Sequence, residues 1–273
     1  MTIYKKIVKA IEQELEGYDK SKYIIESKSH QHLKLNSNVI PEFNKFHEQT
    51  CGDKIRKTEK GIFCDANGNR IYLIRNGKKV DGIQGTRKKV TIDWNEMWHY
   101  YQKYGELHFT HNHPRESGYP SDCLSAGDVE CLFSSYDRSG LWDGTPDLVY
   151  PLKSVSCESP LGQRMTLVRG DKFKYDNRDS AIQLGKKLQT SWRQYVKRYW
   201  DVKWETFRMM ENNEKYVGKS QEELHEIIVN TALKEVGRFE QTPEFKEIRK
   251  QFREIDCKLM MSYPSEYKVN NGL

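Results

Sequence analysis

The sequence predicts an α/β module over residues 51–175, followed by an all-helical extension over 176–273 and preceded by an N-terminal helix and polar segment over 1–50. Three observations predict this. Short apolar runs bounded by Gly, Asn and Asp clusters recur between about 60 and 170, as strands joined by turns do. Helix-compatible stretches are interleaved with them. From about Asp179 onward the hydrophobic period changes to that of helices.

Taken in order, Ile3, Ile7, Ile11 and Leu15 stand at helical spacing, and Lys20 to Thr50 is polar and irregular. Gly61 to Cys64 is short and apolar, Asp65 to Asn69 is a turn cluster, and Arg70 to Ile74 resumes strand character, which together read as a β-hairpin. Asn76-Gly77 and Asp81-Gly82 mark further turns. Asp93 to Tyr104 is helix-compatible, and Leu107 to His113 is extended and ends at Pro114. Ser125 to Tyr136 reads as a helix with Ser125 as N-cap and Asp128 three residues on. Asp147 to Ser156 and Arg164 to Val168 are strand candidates. Ala181 to Met210 forms one long helix, Gln221 to Phe239 a second, and a third starts near Pro243 and runs to about Lys258.

Composition limits the function classes. The 273 residues are 36% hydrophobic and 31% charged, with 16 Tyr and 6 Trp, richer in aromatics than disordered chains are. The net charge of +6 permits an acidic partner such as nucleic acid without requiring one. The six cysteines form no C-x-x-C pair and fit the reducing conditions of the cytoplasm. No signal peptide is apparent, and no apolar run approaches the ~20 residues that span a bilayer. There is no G-x-x-x-x-G-K-[ST] loop and no Gly-x-Ser-x-Gly. His225-Glu226 is followed by Val229, and His47-Glu48 by Cys51, so neither completes H-E-x-x-H.

The chemistry is expected at His111-Asn112-His113-Pro114. On a strand, residues two apart share a face, so His111 and His113 aim at one point. Zinc needs such convergence, and Asp128 in the first turn of a helix capped by Ser125 can supply the third protein ligand of an open site. The bland reading is an exposed loop with two solvated histidines, a cap at Ser125, and an acid favoured by the helix dipole at Asp128.

His111-Asn112-His113-Pro114 followed by Ser125-Ala126-Gly127-Asp128 resembles the JAMM (JAB, MPN+) zinc metalloprotease motif, in a form similar to RadC-like and bacterial and phage JAB domains. The resemblance covers about residues 55–170. It implies a mixed sheet flanked by helices, zinc (Zn2+) on His111, His113 and Asp128, and a catalytic glutamate well upstream. Glu59, which precedes Gly61 to Asp65, is the candidate, with Glu48 and Glu106 as rivals. The family's usual spacer is shorter than the eleven residues between His113 and Ser125. Ser121 has that usual spacing but is followed by Leu124 where Asp is required. Gly118 to Leu124 therefore reads as an insertion. By the same resemblance Glu59 is the general base, Ser125 a donor to the oxyanion, and the substrate a peptide or isopeptide bond, often to a ubiquitin-like protein.

Two alternatives from other classes stand beside the peptidase. One is a JAB-fold binding or structural module without hydrolysis. The other is a nucleic-acid-associated RadC-like protein. The run from Ser191 to Trp204 interleaves aromatics with cations, as a nucleic-acid face would. It reads better as a helix packing on the module or meeting a partner protein, since aromatics at three-to-four spacing mark a buried face.

Overall fold

The computed structural model describes residues 59–67, 69–80, 82–85, 92–113, 124–137, 148–158, 164–211 and 213–262. The expected N-terminal helix and polar segment, the rival Glu48, and residues 114–123, which hold most of the expected insertion, lie outside this set.

The expected first hairpin is present but shorter. β1 (Lys60–Cys64) turns through Asp65, whose carboxylate accepts from the Asn67 and Asn69 amides, into β2 (Arg70–Ile71). The chain breaks at Tyr72, so Leu73 and Ile74 belong instead to a second hairpin, β3 (Leu73–Arg75) and β4 (Lys78–Val80), turning at Asn76-Gly77. β5 (Ile83–Gln84) returns to β1. Helix α1 (Trp94–Tyr104) starts at Asp93, whose side chain accepts from the Asn95 and Glu96 amides. β6 (Leu107–Asn112) follows, then α2 (Ala126–Leu132). The helix expected to reach Tyr136 ends at Leu132, and β7 (Tyr136–Asp137) pairs with β8 (Leu148–Val149). The strand expected over Asp147 to Ser156 is divided at Pro151, which has no N–H to give a ladder. It resumes as β9 (Leu152–Glu158), and β10 (Arg164–Arg169) follows.

The helices of the extension are α3 (Arg178–Glu211), α4 (Gln221–Val236) and α5 (Pro243–Glu254). The expectation of an all-helical extension is corrected at its end. The helix expected to run to about Lys258 ends at Glu254, and Cys257–Ser262 form β11, which pairs antiparallel with β10. The cause is local. Asp256 turns the chain at φ 58°, and its backbone oxygen and carboxylate accept from the amides of Gly170 and Lys172. Beyond it, buried Cys257 and Leu259 alternate with exposed Lys258, a period of two that suits a strand.

The main sheet runs β11-β10-β9-β6-β1-β2, with β5 also on β1. It is mixed: β6 and β9 are parallel, and the other pairs antiparallel. Its two faces differ sharply. One carries Phe63, Phe109, Val155, Leu167 and Leu259, and joins α2, α3 and α5 in a single apolar core. The other buries polar groups, including His108, Thr110, Ser154 and Ser156. Strand β6, Leu-His-Phe-Thr-His-Asn, alternates between them. The aromatics expected to pack do so: Trp192 of α3 is buried edge-on against Phe239, with Tyr195 beside both. Among the described residues no helix is long and apolar enough to cross a membrane.

Candidate metal centre

A right- or left-handed passage between parallel β6 and β9 must cross over, and α2 lies on that crossover. The C-terminal ends of both strands and the N-terminus of α2 therefore meet. Open α/β sheets place ligand sites at such points.

Four side chains converge there: His111, His113, Asp128 and Cys157, with no two donor atoms more than 4.8 Å apart. His111 Nε2 lies 3.2 Å from His113 Nε2 and 2.9 Å from Asp128 Oδ1, and His113 Nε2 lies 3.5 Å from Asp128 Oδ2. Donors each ~2 Å from a tetrahedral zinc stand roughly 3.3 Å apart, so this spacing suits one ion. These spacings also suit hydrogen bonds and ion pairs through the two rings, which a bound cation would replace. The His111 ring makes its polar contacts through Nε2, while its Nδ1 is buried without a hydrogen-bond partner. The cluster can hold a metal ion, and its nitrogen, oxygen and sulfur donors are of the kind zinc accepts.

The surroundings hold His111 and Asp128 in place. The His111 ring stacks on Phe109 with centroids 5.2 Å apart. Asn112, pointing to the other face, accepts from the Lys60 amide at 2.8 Å and ties the end of β6 to β1. Gly61 sits opposite His111 in that pair, where an added Cβ would fall 2.5 Å from the Phe109 ring. Only glycine lets β1 lie this close to the stacked rings.

Asp128 is held by a capping box. Ser125 donates to Oδ2 from its backbone N–H (2.7 Å) and its hydroxyl (2.8 Å), while the Asp128 amide donates back to Ser125 Oγ (3.2 Å). Oδ1 stays directed at His111. Burial alone would raise the Asp128 carboxyl. The two imidazoles beside it and the Ser125 bond outweigh burial and hold it well below the usual carboxylate range.

No family model, curated protein or solved structure matches the chain.

The residues expected from sequence stand as follows. His111, His113 and Asp128 come together. Ser125 is beside them as the cap that orients Asp128. Glu59 is buried immediately before β1, with its backbone oxygen accepting from Gly85 N–H. It stands just outside the strand, two residues before Gly61, which pairs with His111, and it is not among the converging donors. Rival Glu106 is engaged elsewhere, 2.8 Å from Arg169 Nη2. His108 faces away from His111, as its odd spacing requires. It is buried, bonds Ser154 Oγ at 2.7 Å, and borders a separate cavity of about 580 Å3 with Lys153 and Arg169. Another cavity, of about 1000 Å3, is lined by Tyr72, Glu96 and Tyr100 among others and by none of the four clustered side chains. Sequence reasoning missed Cys157. No spacing connects it to the H-x-H motif; the signal is its register opposite His111 in the parallel pair.

Proposed function

We propose that the chain is a zinc-dependent metallopeptidase of the JAMM type that hydrolyses a peptide or isopeptide bond. The observation that carries this reading is the convergence of His111 and His113, at a strand end, with Asp128, at a helix start. The mixed sheet and the α2 crossover support a JAMM-type arrangement. Zinc, when bound, makes water a nucleophile near neutral pH and polarises a carbonyl oxygen.

The chain's own residues supply the rest. His111 and His113 would hold the ion through their ring nitrogens, and ionised Asp128 would supply the hard oxygen. Glu59, buried two residues before the strand partner of His111, takes the proton of the attacking water and returns it to the leaving amine nitrogen. Ser125 spends its hydroxyl proton on Asp128 at rest. To donate to a developing oxyanion, the hydroxyl turns from Asp128, whose Oδ2 keeps the Ser125 backbone N–H.

Metal content by plasma mass spectrometry, followed by assay on peptide and isopeptide substrates, tests the reading. About one zinc per chain is expected, none in a His111→Ala/His113→Ala variant, and full zinc with a turnover loss of roughly 10²–10⁴ in Glu59→Gln. A parent that takes up no supplied zinc, or a Glu59→Gln variant as active as the parent, overturns it.

A further inference from the structure

We infer that Cys157 is a fourth protein ligand, so that the centre at rest is a closed His111-His113-Asp128-Cys157 shell rather than an open three-ligand site. This rests on the metal site of the proposed function and changes what that site is before substrate arrives.

Position is the first argument. Cys157 stands opposite His111 in the parallel β6–β9 pair, on the same face, and its sulfur belongs to the donor cluster. The other described cysteines act as internal comparisons. Cys64 lies on the opposite face beside Ile62. Cys257 belongs to the edge strand β11, within the apolar core. Cys131, one turn beyond Asp128, is not among the converging donors.

Charge is the second argument. Cys157 is fully buried and His111 nearly so. A dication held by two neutral imidazoles and one carboxylate leaves a net positive charge in that interior, which is costly. A thiolate cancels it. On binding, the Cys157 sulfur gives up its proton to solvent and forms the bond to the metal. Coordination number is the third. Structural zinc sites take four protein ligands, and catalytic ones keep a position open. With Cys157 bound no position is open, so water or a substrate carbonyl enters only by displacing the sulfur. The resting centre is therefore latent. A sulfur ligand also biases the site toward zinc and cobalt over magnesium or manganese.

Cobalt(II) replacing zinc in the full chain reads this directly, because a thiolate on cobalt gives an intense near-ultraviolet charge-transfer absorption that nitrogen and oxygen ligands do not. The parent with one cobalt bound is expected to show that band together with the visible bands of a four-coordinate ion. Cys157→Ala is expected to keep cobalt, lose the charge-transfer band and bind the metal at least tenfold more weakly, while Cys131→Ala keeps the band. Cobalt bound by the parent without the band overturns the fourth ligand and leaves the three-ligand peptidase site standing. A band that survives in Cys157→Ala overturns it too, by assigning the sulfur elsewhere. A parent that binds no cobalt and no zinc overturns both this inference and the proposed function. The parent's own spectrum decides the matter even if the Cys157→Ala chain fails to fold.

Discussion

At the scale of single residues, β6 uses its two-residue period to give neighbouring histidines opposite environments. His111 faces the apolar core and the cluster with His113, Asp128 and Cys157. His108 faces the polar side, where burial first and Lys153 second push its imidazole down to about 4, with Asp65 working against them. It is therefore neutral at pH 7. In the unfolded chain the ring takes its proton near 6.5, so the stability that His108 contributes is complete above that pH and is lost as the pH falls toward about 4. The loss is about 3 kcal/mol at the end of that range. Urea unfolding at pH 7 and pH 4.5 is expected to show most of this drop in the parent and a clearly smaller one in His108→Gln. Equal pH dependence in the two proteins contradicts the assignment.

At the scale of elements, the position of Asp128 depends on how α2 sits against α3. α2 is only seven residues long, too short to hold its own shape. Three residues on one face of α3 clamp it along its length. Gln189 accepts from the Ala126 amide at 3.4 Å near the start, and Arg178 Nε donates to the Phe133 oxygen at 3.3 Å past the end. Between them Gly185 meets Val129, the residue after the ligand. A Cβ on Gly185 would fall 2.8 Å from the Val129 side chain. Gly185→Ala should gain about 1 kcal/mol of helix propensity and yet be destabilising overall, by about 1–2 kcal/mol, because α2 must move off α3. Zinc affinity is expected to fall with it, as Asp128 is displaced. Shortening the opposing residue as well, in Gly185→Ala/Val129→Ala, is expected to recover part of both losses. Denaturation and zinc titration of the single and double variants measure the coupling, and strictly additive effects would refute this close contact.

At the scale of the whole molecule, the extension completes the sheet. Helices α3 and α5 share one apolar core with the strands, and β11 covers the edge of β10. An independent extension would tolerate trimming. This one is expected not to. A chain ended after Glu254 loses buried Cys257 and Leu259 and uncovers the backbone of β10 as a free edge. It is expected to lose the cooperative thermal transition of the parent or to aggregate on purification. An unchanged melting temperature would show that β11 is an accessory.

The convergence of His111, His113 and Asp128 and the cap at Ser125 were legible in the sequence because each depends on local geometry. A strand's period aims two histidines at one point, and a helix start needs a cap and favours an acid. Helices α1, α3, α4 and α5 were legible for the same reason, through their period and, for α5, through Pro243 in its first turn. Tertiary structure alone decided the remainder. It brought Cys157 opposite His111 through pairing between strands 46 residues apart, set α2 against Gly185, buried Glu59 just before β1, and sent residues 257–262 into the sheet. Such contacts join distant parts of the chain, and strand register and helix docking are settled only when the whole core closes, so no short window of sequence carries them.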